Sequence, residues 1–335
     1  MLNSLPSRRR GRHTAHVDEA SQPPLADDLR RALRDHAGLD FSALAPADGG
    51  ESGSAFRARG RSGQVSILKI LPGTGPETAG HLRVLGETVS SLRERGYPAP
   101  RLLAAGEVPG YSFWVQELLP GAPLDGAAGE PDLPVVARLL PELIRLNDAQ
   151  AGLGPDGARH QWPELIRRTL TTGGDGYCVH ETLAANRATR HLLDAVRRAG
   201  DLYGADIPGD RPGPAGREST ARGDFVHYDF TPANLLSDGA SVTGVIDINA
   251  PVIAGDRAFD LAVLLYYCYD HDGLRAALRR RLLQLAAPGV ACAYLAHIVL
   301  RQVDWSLRFH SGEPATRRHL RLAELAVADI REVAG

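Results

Sequence analysis

The chain has 335 residues, and its 43% hydrophobic content is sufficient for a large folded core. Its 38 Lys and Arg residues nearly balance its 40 Asp and Glu residues, and charges of both signs are spread along the sequence. This pattern lacks the basic stripe of a nucleic-acid-binding protein, so no nucleic-acid partner is expected. No apolar run approaches the roughly 18 residues of a membrane-spanning helix, so no membrane partner is expected either.

The N-terminal segment and the cysteines indicate the cellular location of the protein. Residues 1–24 are polar and aperiodic, which predicts a disordered leader. The basic run Arg8–Arg12 is followed by polar residues instead of the apolar core of a signal peptide, so a cytoplasmic location is expected. Cys178, Cys268 and Cys292 are odd in number and far apart, which predicts reduced thiols and no zinc site.

The first half of the chain predicts a small sheet and one longer helix. Brief apolar runs bounded by Gly and Pro are typical of strands. Leucine and valine at three- and four-residue spacing, stopped by Gly96, are typical of an amphipathic helix. The predicted elements are helix Ala26–His36, strands Ala55–Arg59, Gln64–Leu71, Leu102–Val108 and Tyr111–Leu118, and helix Glu77–Arg95.

After Pro120 the pattern becomes mainly helical, and we expect a boundary near Leu119–Pro123. Two short apolar runs, Phe225–Asp229 and Val242–Ile248, interrupt the helices and predict strands. The predicted helices are Leu133–Ala149, Trp162–Thr171 and Glu181–Ala199, with further helices from Phe259 to the end.

Lys69 is the one lysine in the sequence, since every other Lys or Arg position is arginine. Lysine carries a compact charge on a thin stem, which suits contact with phosphate in a tight pocket better than a planar, forked arginine. Strand alternation places Lys69 on the same face as Ile67. With the flexible segment Gly49–Phe56 before it, Lys69 predicts a phosphate cradle. The alternative is a lysine kept by chance after an ordinary hairpin turn.

The strongest signal is the segment VHYDFTPANLL at Val226–Leu236, in which His227, Asp229 and Asn234 have the spacing H-x-D-x-x-x-x-N. A carboxylate at Asp229 can accept or orient the proton of an attacking hydroxyl, and the amide oxygen of Asn234 can hold a metal ion. Asp247, at the end of the next apolar run, adds a hard oxygen ligand of the kind that Mg²⁺ prefers. Each residue could instead cap a turn or a helix, but the order of the segments favours phosphoryl transfer.

With these segments in this order, the chain resembles the aminoglycoside phosphotransferase family from about Ala43 to Arg331. The family is the bacterial small-molecule branch of the protein-kinase-like fold, so the resemblance implies an α+β fold with two lobes. A small antiparallel β-sheet with one helix would form a nucleotide-binding lobe at 25–119. A larger, mainly helical lobe at 120–335 would hold the catalytic and acceptor-binding residues. The implied cofactors are ATP and Mg²⁺, and the implied partner is a small molecule with a hydroxyl group.

The resemblance also implies roles for the motif residues. Asp229 looks like the catalytic base, with His227 as a structural support of its loop. Asn234 and Asp247 look like the Mg²⁺ ligands. Lys69 would contact the α- and β-phosphates of ATP.

Further positions are implied around the nucleotide and the loop. A helix carboxylate, Glu87 or as runner-up Glu77, would hold the ammonium of Lys69. Asp256 and Asp260 would bond backbone groups as braces. The remaining implied positions are Gly53 and Ser54 in the phosphate loop, backbone groups of Glu117, Leu118 and Leu119 at adenine, and Ile67, Leu236 and Ile246 against the faces of that base.

The acceptor is the least defined part of the site. Only nine positions separate Asp247 from Asp256, too few for the activation segment of a protein kinase, so a small acceptor is favoured. Tyr228 stands where the family commonly has glycine, and about one extra residue lies between Asp247 and Asp256. The resemblance implies that the C-terminal helices from Leu274 to Arg331 shape the acceptor pocket, and they carry Trp305, Arg308 and His310. Core packing is an equal explanation for Trp305.

The expected function is ATP-dependent phosphorylation of a hydroxyl on a small molecule, such as an aminoglycoside or another antibiotic. The alternatives are a housekeeping kinase of an amino alcohol or sugar, and a nucleotide-binding pseudoenzyme. A cationic aminoglycoside would need an acidic cleft, although solvated surface charges are the alternative role for the available carboxylates. Those carboxylates are Asp148, Asp156, Asp175, Glu181, Asp270 and Asp272.

Overall fold

The computed structural model describes residues 26–47, 54–126, 130–155, 161–174, 177–208 and 223–334. The predicted leader and most of the predicted phosphate loop lie outside these residues. The described chain forms two compact units. The first holds the residues up to Ala79 together with Leu103–Gln116, and the second holds Gly80–Leu102 and the residues from Glu117 onward.

A five-stranded sheet dominates the first unit, with the strand order β1-β2-β3-β5-β4. Strands β1, β2 and β3 pair antiparallel, and Ala55 of β2 lies opposite Lys69 of β3. Helix α1 (Ala26–Ala37) packs Leu29 and Leu33 into the same core as the sheet. The strands are β1 Phe41–Pro46, β2 Ala55–Gly60, β3 Val65–Pro72, β4 Leu102–Val108 and β5 Tyr111–Glu117.

The two faces of β3 explain where Lys69 lies. Leu68 and Ile70 enter the apolar core with Phe56. Because successive side chains of a strand point to opposite faces, Ile67 and Lys69 lie on the other face of the sheet. A buried core face on β3 therefore fixes the direction of the lysine.

Helix α2 (Pro76–Glu94) confirms the amphipathic spacing of the sequence. Its leucines and valine at the predicted positions are buried on one face. The helix ends in a glycine cap, where Gly96 has φ +74° and the N–H of Tyr97 donates to the carbonyl of Leu92 at 3.0 Å. This is the left-handed conformation that glycine adopts most easily after a helix.

The second unit is mainly helical. Helix α9 is buried along most of its length and packs against α6, α7 and α10, so it is the central helix of this core. Besides α2, the helices are α3 Leu133–Ala149, α4 Gln161–Thr172, α5 His180–Ala185, α6 Arg190–Tyr203, α7 Ala258–Tyr267, α8 Asp272–Leu285, α9 Pro288–Phe309 and α10 Pro314–Ala334.

Short strands in the second unit anchor an irregular loop between Val226 and Leu235. Strand β7 (Asp224–Val226) pairs with β10 (Ile253–Gly255), and β8 (Leu235–Ser237) pairs with β9 (Val242–Val245). Strand β6 (Ala122–Pro123) joins the other side of β8. The loop is thus held at both ends by backbone ladders.

The predicted α+β class is confirmed, but three predicted elements were wrong in extent. Glu181–Ala199 is two helices, because Asn186 is extended and its side chain accepts the N–H of Ala188. The strand predicted at Phe225–Asp229 ends at Val226, and the one at Val242–Ile248 ends at Val245. Beyond these ends the backbone bonds to side chains and loop groups instead of a neighbouring strand. The division at 119/120 stays a prediction.

The three cysteines lie in the protein interior. All three thiols are buried and free, and burial raises the pKa of Cys178 and Cys268 to about 12. They are therefore protonated at neutral pH and poor nucleophiles. Among the described helices, none is long and apolar enough to cross a membrane.

Candidate active site

The candidate base, Asp229, lies in the loop between β7 and β8 with its side chain one-third exposed. The amide nitrogen of Asn234 donates to Oδ2 of Asp229 at 3.0 Å and to its carbonyl at 2.9 Å. The Asp229 carbonyl also accepts the N–H of Thr231 at 2.8 Å. The motif spacing therefore closes a compact loop in which one carboxylate oxygen is fixed from within.

Asp260, at the start of α7, braces this loop from below. It is fully buried, and it accepts the backbone N–H of His227 at 2.8 Å and that of Tyr228 at 2.9 Å. Gln150 donates to the same carboxylate at 2.9 Å. Burial raises the pKa of Asp260 to about 6, against the opposing effect of His227 and these donors. Loss of this acceptor would leave two buried N–H groups without partners.

His227 uses both ring nitrogens to connect neighbouring segments. Its Nε2–H donates to the carbonyl of Ile246 at 2.8 Å, and its Nδ1 accepts the backbone N–H of Asp229 at 3.3 Å. This pattern fits a neutral imidazole with the proton on Nε2. The histidine thus ties the candidate base to the strand end before Asp247.

Backbone contacts bring Asp247 to the Asn234 segment. The N–H of Ile246 donates to the carbonyl of Asn234 at 2.9 Å, and Asp247 follows directly. Asp247 has φ +66° and Tyr228 has φ +70°, conformations that are costly for residues other than glycine. The irregular backbone on both sides of the loop is therefore held in place by its hydrogen bonds.

The loop carries two oxygen donors of the kind that Mg²⁺ takes. The side-chain nitrogen of Asn234 donates to Asp229, so the side-chain oxygen of Asn234 is the atom that can bind a cation. Asp247 supplies carboxylate oxygens. In the part of the chain that the structure describes, no group of three His, Cys, Asp or Glu side chains could hold a metal. Two oxygen ligands with the rest from water and phosphate are typical of Mg²⁺ sites.

Lys69, in the first unit, is 9% exposed and its Nζ lies 5.9 Å from the centre of the Trp114 ring. Ile67 lies on the same face of β3 and is partly exposed. The carbonyl of Ser54 accepts the N–H of Ile70, which continues the β2–β3 ladder to the end of the predicted phosphate loop. Gly53 lies outside the described residues.

The carboxylates predicted to hold Lys69 are on α2. Glu87 is 63% exposed and pairs with Arg83 at 2.7 Å, one turn earlier on the helix. Glu77 is exposed in the first turn. The contact between either carboxylate and Lys69 stays a prediction.

The predicted adenine-binding segment follows β5. The N–H of Glu117 donates to the carbonyl of Arg101 at 3.0 Å, and its carboxylate pairs with Arg93 at 2.8 Å. Glu117 is therefore fixed by α2 and the chain before β4. Leu118 is exposed, and Leu119 is partly buried.

An apolar surface in the second unit accompanies this segment. Gly244 of β9 lies so close to Leu119 and Leu236 that a Cβ there would be 2.9 Å and 3.1 Å from their methyl carbons. Leu236 is buried and Ile246 is partly exposed. Glycine at 244 thus lets the two leucines pack directly against β9.

Asp256 caps the start of α7. Its oxygens accept the N–H of Ala258 and the hydroxyl of Tyr294, both at 2.9 Å. Burial raises the pKa of Asp256. It therefore stabilises the start of α7, the helix that carries Asp260.

Sequence reasoning missed Arg301 on α9. Its Nη2 lies 3.2 Å from Oδ1 of Asp229, and its Nη1 donates to the carbonyl of Tyr228 at 2.7 Å. The available signal was that His297 and Arg301 lie four residues apart, on one face of a helix whose preceding turns are apolar. The candidate base is therefore clamped by an amide on one oxygen and a guanidinium on the other.

Three of the six carboxylates predicted for an acidic cleft are paired with arginines. Asp148 contacts Arg281, Asp270 contacts Arg318 and Arg321, and Asp272 contacts Arg275. Glu181 is exposed on α5. Asp156 and Asp175 lie outside the described residues. The charges of Asp148, Asp270 and Asp272 are therefore each balanced by a neighbouring arginine.

The model of the APH phosphotransferase enzyme family matches residues 43–294, more than half of the chain. The match includes Lys69, the Asp229 loop, Asp247 and Asp260, and it ends before Arg301. No curated protein matches the chain in sequence.

Two solved structures share the fold at low identity. A candidate fructosamine-3-kinase from Thermobifida fusca YX-ER1 aligns at 17% identity over 91% of this chain and 100% of that chain, with a TM-score of 0.51. Aminoglycoside phosphotransferase APH(3'')-Id from Streptomyces rimosus ATCC10970, in complex with ADP and streptomycin, aligns at 15% identity over 91% of this chain and 97% of that chain, also with a TM-score of 0.51. These likenesses confirm the kinase-like α+β fold. From the family match, the chain belongs to the phosphotransferase enzyme family APH.

Proposed function

We propose that this protein transfers the γ-phosphoryl group of ATP to a hydroxyl of a small molecule, with Asp229 as the base. The observation that carries the proposal is the clamped but partly exposed carboxylate of Asp229. Both oxygens have fixed partners, Asn234 and Arg301, while one-third of the side chain remains accessible. A carboxylate in this state can orient an incoming hydroxyl and receive its proton as the oxygen attacks phosphorus.

The chain's other motif residues would hold the nucleotide. Lys69 would pair with phosphate oxygens from its buried position on β3, and the apolar residues near Gly244 would stack on adenine. Asn234 and Asp247 would bind Mg²⁺, which neutralises charge on the phosphate oxygens when bound. Positioning and charge compensation supply most of the catalysis in phosphoryl transfer, so this set is chemically sufficient.

The proposed acceptor is a small molecule with a hydroxyl group, phosphorylated in the cytoplasm. Streptomycin is present in one structure of similar fold, and another is described as a fructosamine-3-kinase. Antibiotics and sugars are therefore the first acceptors to assay. A pseudoenzyme is disfavoured because Lys69, Asp229, Asn234 and Asp247 are all present in the sequence.

ADP formation with Mg²⁺ and ATP tests the proposal across aminoglycosides, other antibiotics, amino alcohols and sugars. We expect at least one acceptor to raise ADP formation, and removal of Mg²⁺ by a chelator to abolish it. Asp229→Asn should lower that turnover by about 10²- to 10⁴-fold, the usual contribution of a general base. ATP binding, measured by calorimetry, should be retained.

The matched control is Asp272→Asn, which makes the same change at an exposed carboxylate of α8. It should leave turnover unchanged. Full activity of Asp229→Asn would show that another residue is the base. Failure of every acceptor to raise ADP formation by the folded protein would argue against a kinase.

A further inference from the structure

The negative charge of Asp229 is paired with the positive charge of Arg301. The guanidinium contacts Oδ1 of Asp229 at 3.2 Å, and its side chain is 19% exposed. Burial alone would lower the pKa of Arg301, but Asp229 and other neighbours raise it, so the guanidinium stays charged. With Asp229 as the proposed base, a fixed positive charge lies beside the position of the reacting hydroxyl.

Tyr228 holds this arginine in place. The guanidinium carbon lies 4.8 Å from the centre of the Tyr228 ring, and Nη1 donates to the Tyr228 carbonyl at 2.7 Å. The ring stacks on Phe259 at 5.1 Å, and its hydroxyl bonds Nε2 of His297 at 3.1 Å. The arginine therefore rests on a platform that cannot move without disrupting the core.

Two described carboxylates of this region, Asp304 and Asp270, are paired with arginines. One turn further on α9, Asp304 is buried and pairs with Arg308 at 2.6 Å. The phenol of Tyr267 lies within electrostatic reach of Asp229, Arg301, Arg318 and Asp125. Arg318 in turn contacts Asp270, and burial raises the pKa of Asp125.

From this arrangement we infer that Arg301 determines acceptor charge: the site takes a hydroxyl compound that is neutral or anionic beside its reacting hydroxyl, and discriminates against an ammonium there. The inference rests on the proposed kinase function. An ammonium beside the hydroxyl would be repelled by the guanidinium, and the Asp229 carboxylate is already paired with it. A neutral group meets no such repulsion, and a carboxylate gains a partner.

Charge selection is tested with acceptors that share a skeleton and differ in charge. One series is D-glucosamine, D-glucose and D-gluconate, a second is serinol, glycerol and D-glycerate, and streptomycin serves as a polycation. For wild type, we expect kcat/KM of the neutral and anionic members to exceed that of the amine by roughly tenfold or more. Arg301→Gln should shrink this ratio at least about tenfold, mainly through KM, while Arg301→Lys should retain it.

Arg280→Gln is the matched control, since Arg280 is exposed on α8. It should leave the ratio unchanged. Binding of the same compounds to wild type and Arg301→Gln, measured by calorimetry in the presence of Mg²⁺ and ADP, reports charge selection without turnover. A wild-type preference for the amines, or the same charge ratio in wild type and Arg301→Gln, would overturn the inference.

The two proposals fail in different ways. Charge-selective binding that depends on Arg301, without ADP formation for any acceptor, would contradict the kinase function and support the inference. Turnover of amines and neutral acceptors at equal rates would support the kinase function and overturn the inference.

Discussion

Lys69 and Asp229 are fixed by different kinds of structure. Lys69 lies on a regular strand, where pairing with β2 and the packing of Leu68 set its direction. Asp229 lies in an irregular loop, where side chains replace the missing backbone ladder. The sheet would keep its shape if the lysine changed, whereas the loop depends on the residues that compose it. Substitutions at Lys69 should therefore alter activity alone, and substitutions around Asp229 should alter stability as well.

Of the variants that test this comparison between Lys69 and the loop residues, Lys69→Arg should have the largest effect. Lys69→Arg keeps the charge but moves it away from the position of the ammonium. A misplacement of about 1 Å can cost about 10²-fold in rate, so we expect kcat/KM for ATP to fall roughly 10- to 100-fold. The free energy of unfolding should change by less than about 1 kcal/mol. Steady-state kinetics and urea unfolding measure the two effects.

Arg57→Lys provides the control, because Arg57 is exposed on the neighbouring strand β2 opposite Ile67. The reverse exchange there should affect neither rate nor stability. An active Lys69→Arg enzyme would mean that any cation serves at this position, and a strongly destabilised one would mean that the sheet depends on the lysine.

His297 of α9, which bonds the loop residue Tyr228, should make the stability of the protein depend on pH. Burial lowers the pKa of His297 to about 3, whereas an unfolded histidine has a pKa near 6.5. As the pH falls below about 6.5, His297 is protonated in the unfolded state but stays neutral in the native state. The native state is therefore destabilised relative to the unfolded state. At pH 5 this group alone should have cost about 2 kcal/mol relative to neutral pH.

His297→Gln isolates that contribution, since Asp260, with its raised pKa, acts in the opposite sense near pH 4 to 6. The variant should lose less stability than wild type between pH 7 and pH 5, as measured by urea unfolding at each pH. His36→Gln, at an exposed position of α1, should follow the wild-type curve. Parallel curves for His297→Gln and wild type would show that His297 is not held neutral by burial.

The same contrast explains what the sequence could predict. Strand β3 and helix α2 were predicted within one residue at each end. Their apolar residues recur at strand or helix spacing within the segment itself, so the local sequence is sufficient to identify them. The spacing of Asp229 and Asn234 was equally local, and the two side chains do meet. Arg301 could not be placed, because it lies 72 residues after Asp229 and its contact depends on how α9 packs. Tyr228 was recognised as unusual, but its left-handed backbone and its stacking partner required the fold.

The smallest effect is expected from removing one oxygen atom, the hydroxyl of Tyr228, next to the Asp229 loop. Tyr228→Phe keeps the ring that stacks on Phe259 and supports Arg301, but it removes the hydroxyl that bonds Nε2 of His297. Because His297 is fully buried, its nitrogen would lose its partner at a cost of about 1 to 2 kcal/mol in unfolding free energy. Turnover should stay near wild type, since Asp229 keeps both of its clamps. Tyr177→Phe, at an exposed tyrosine, should change neither quantity. A large loss of turnover in Tyr228→Phe with unchanged stability would instead place the hydroxyl in contact with the reacting groups.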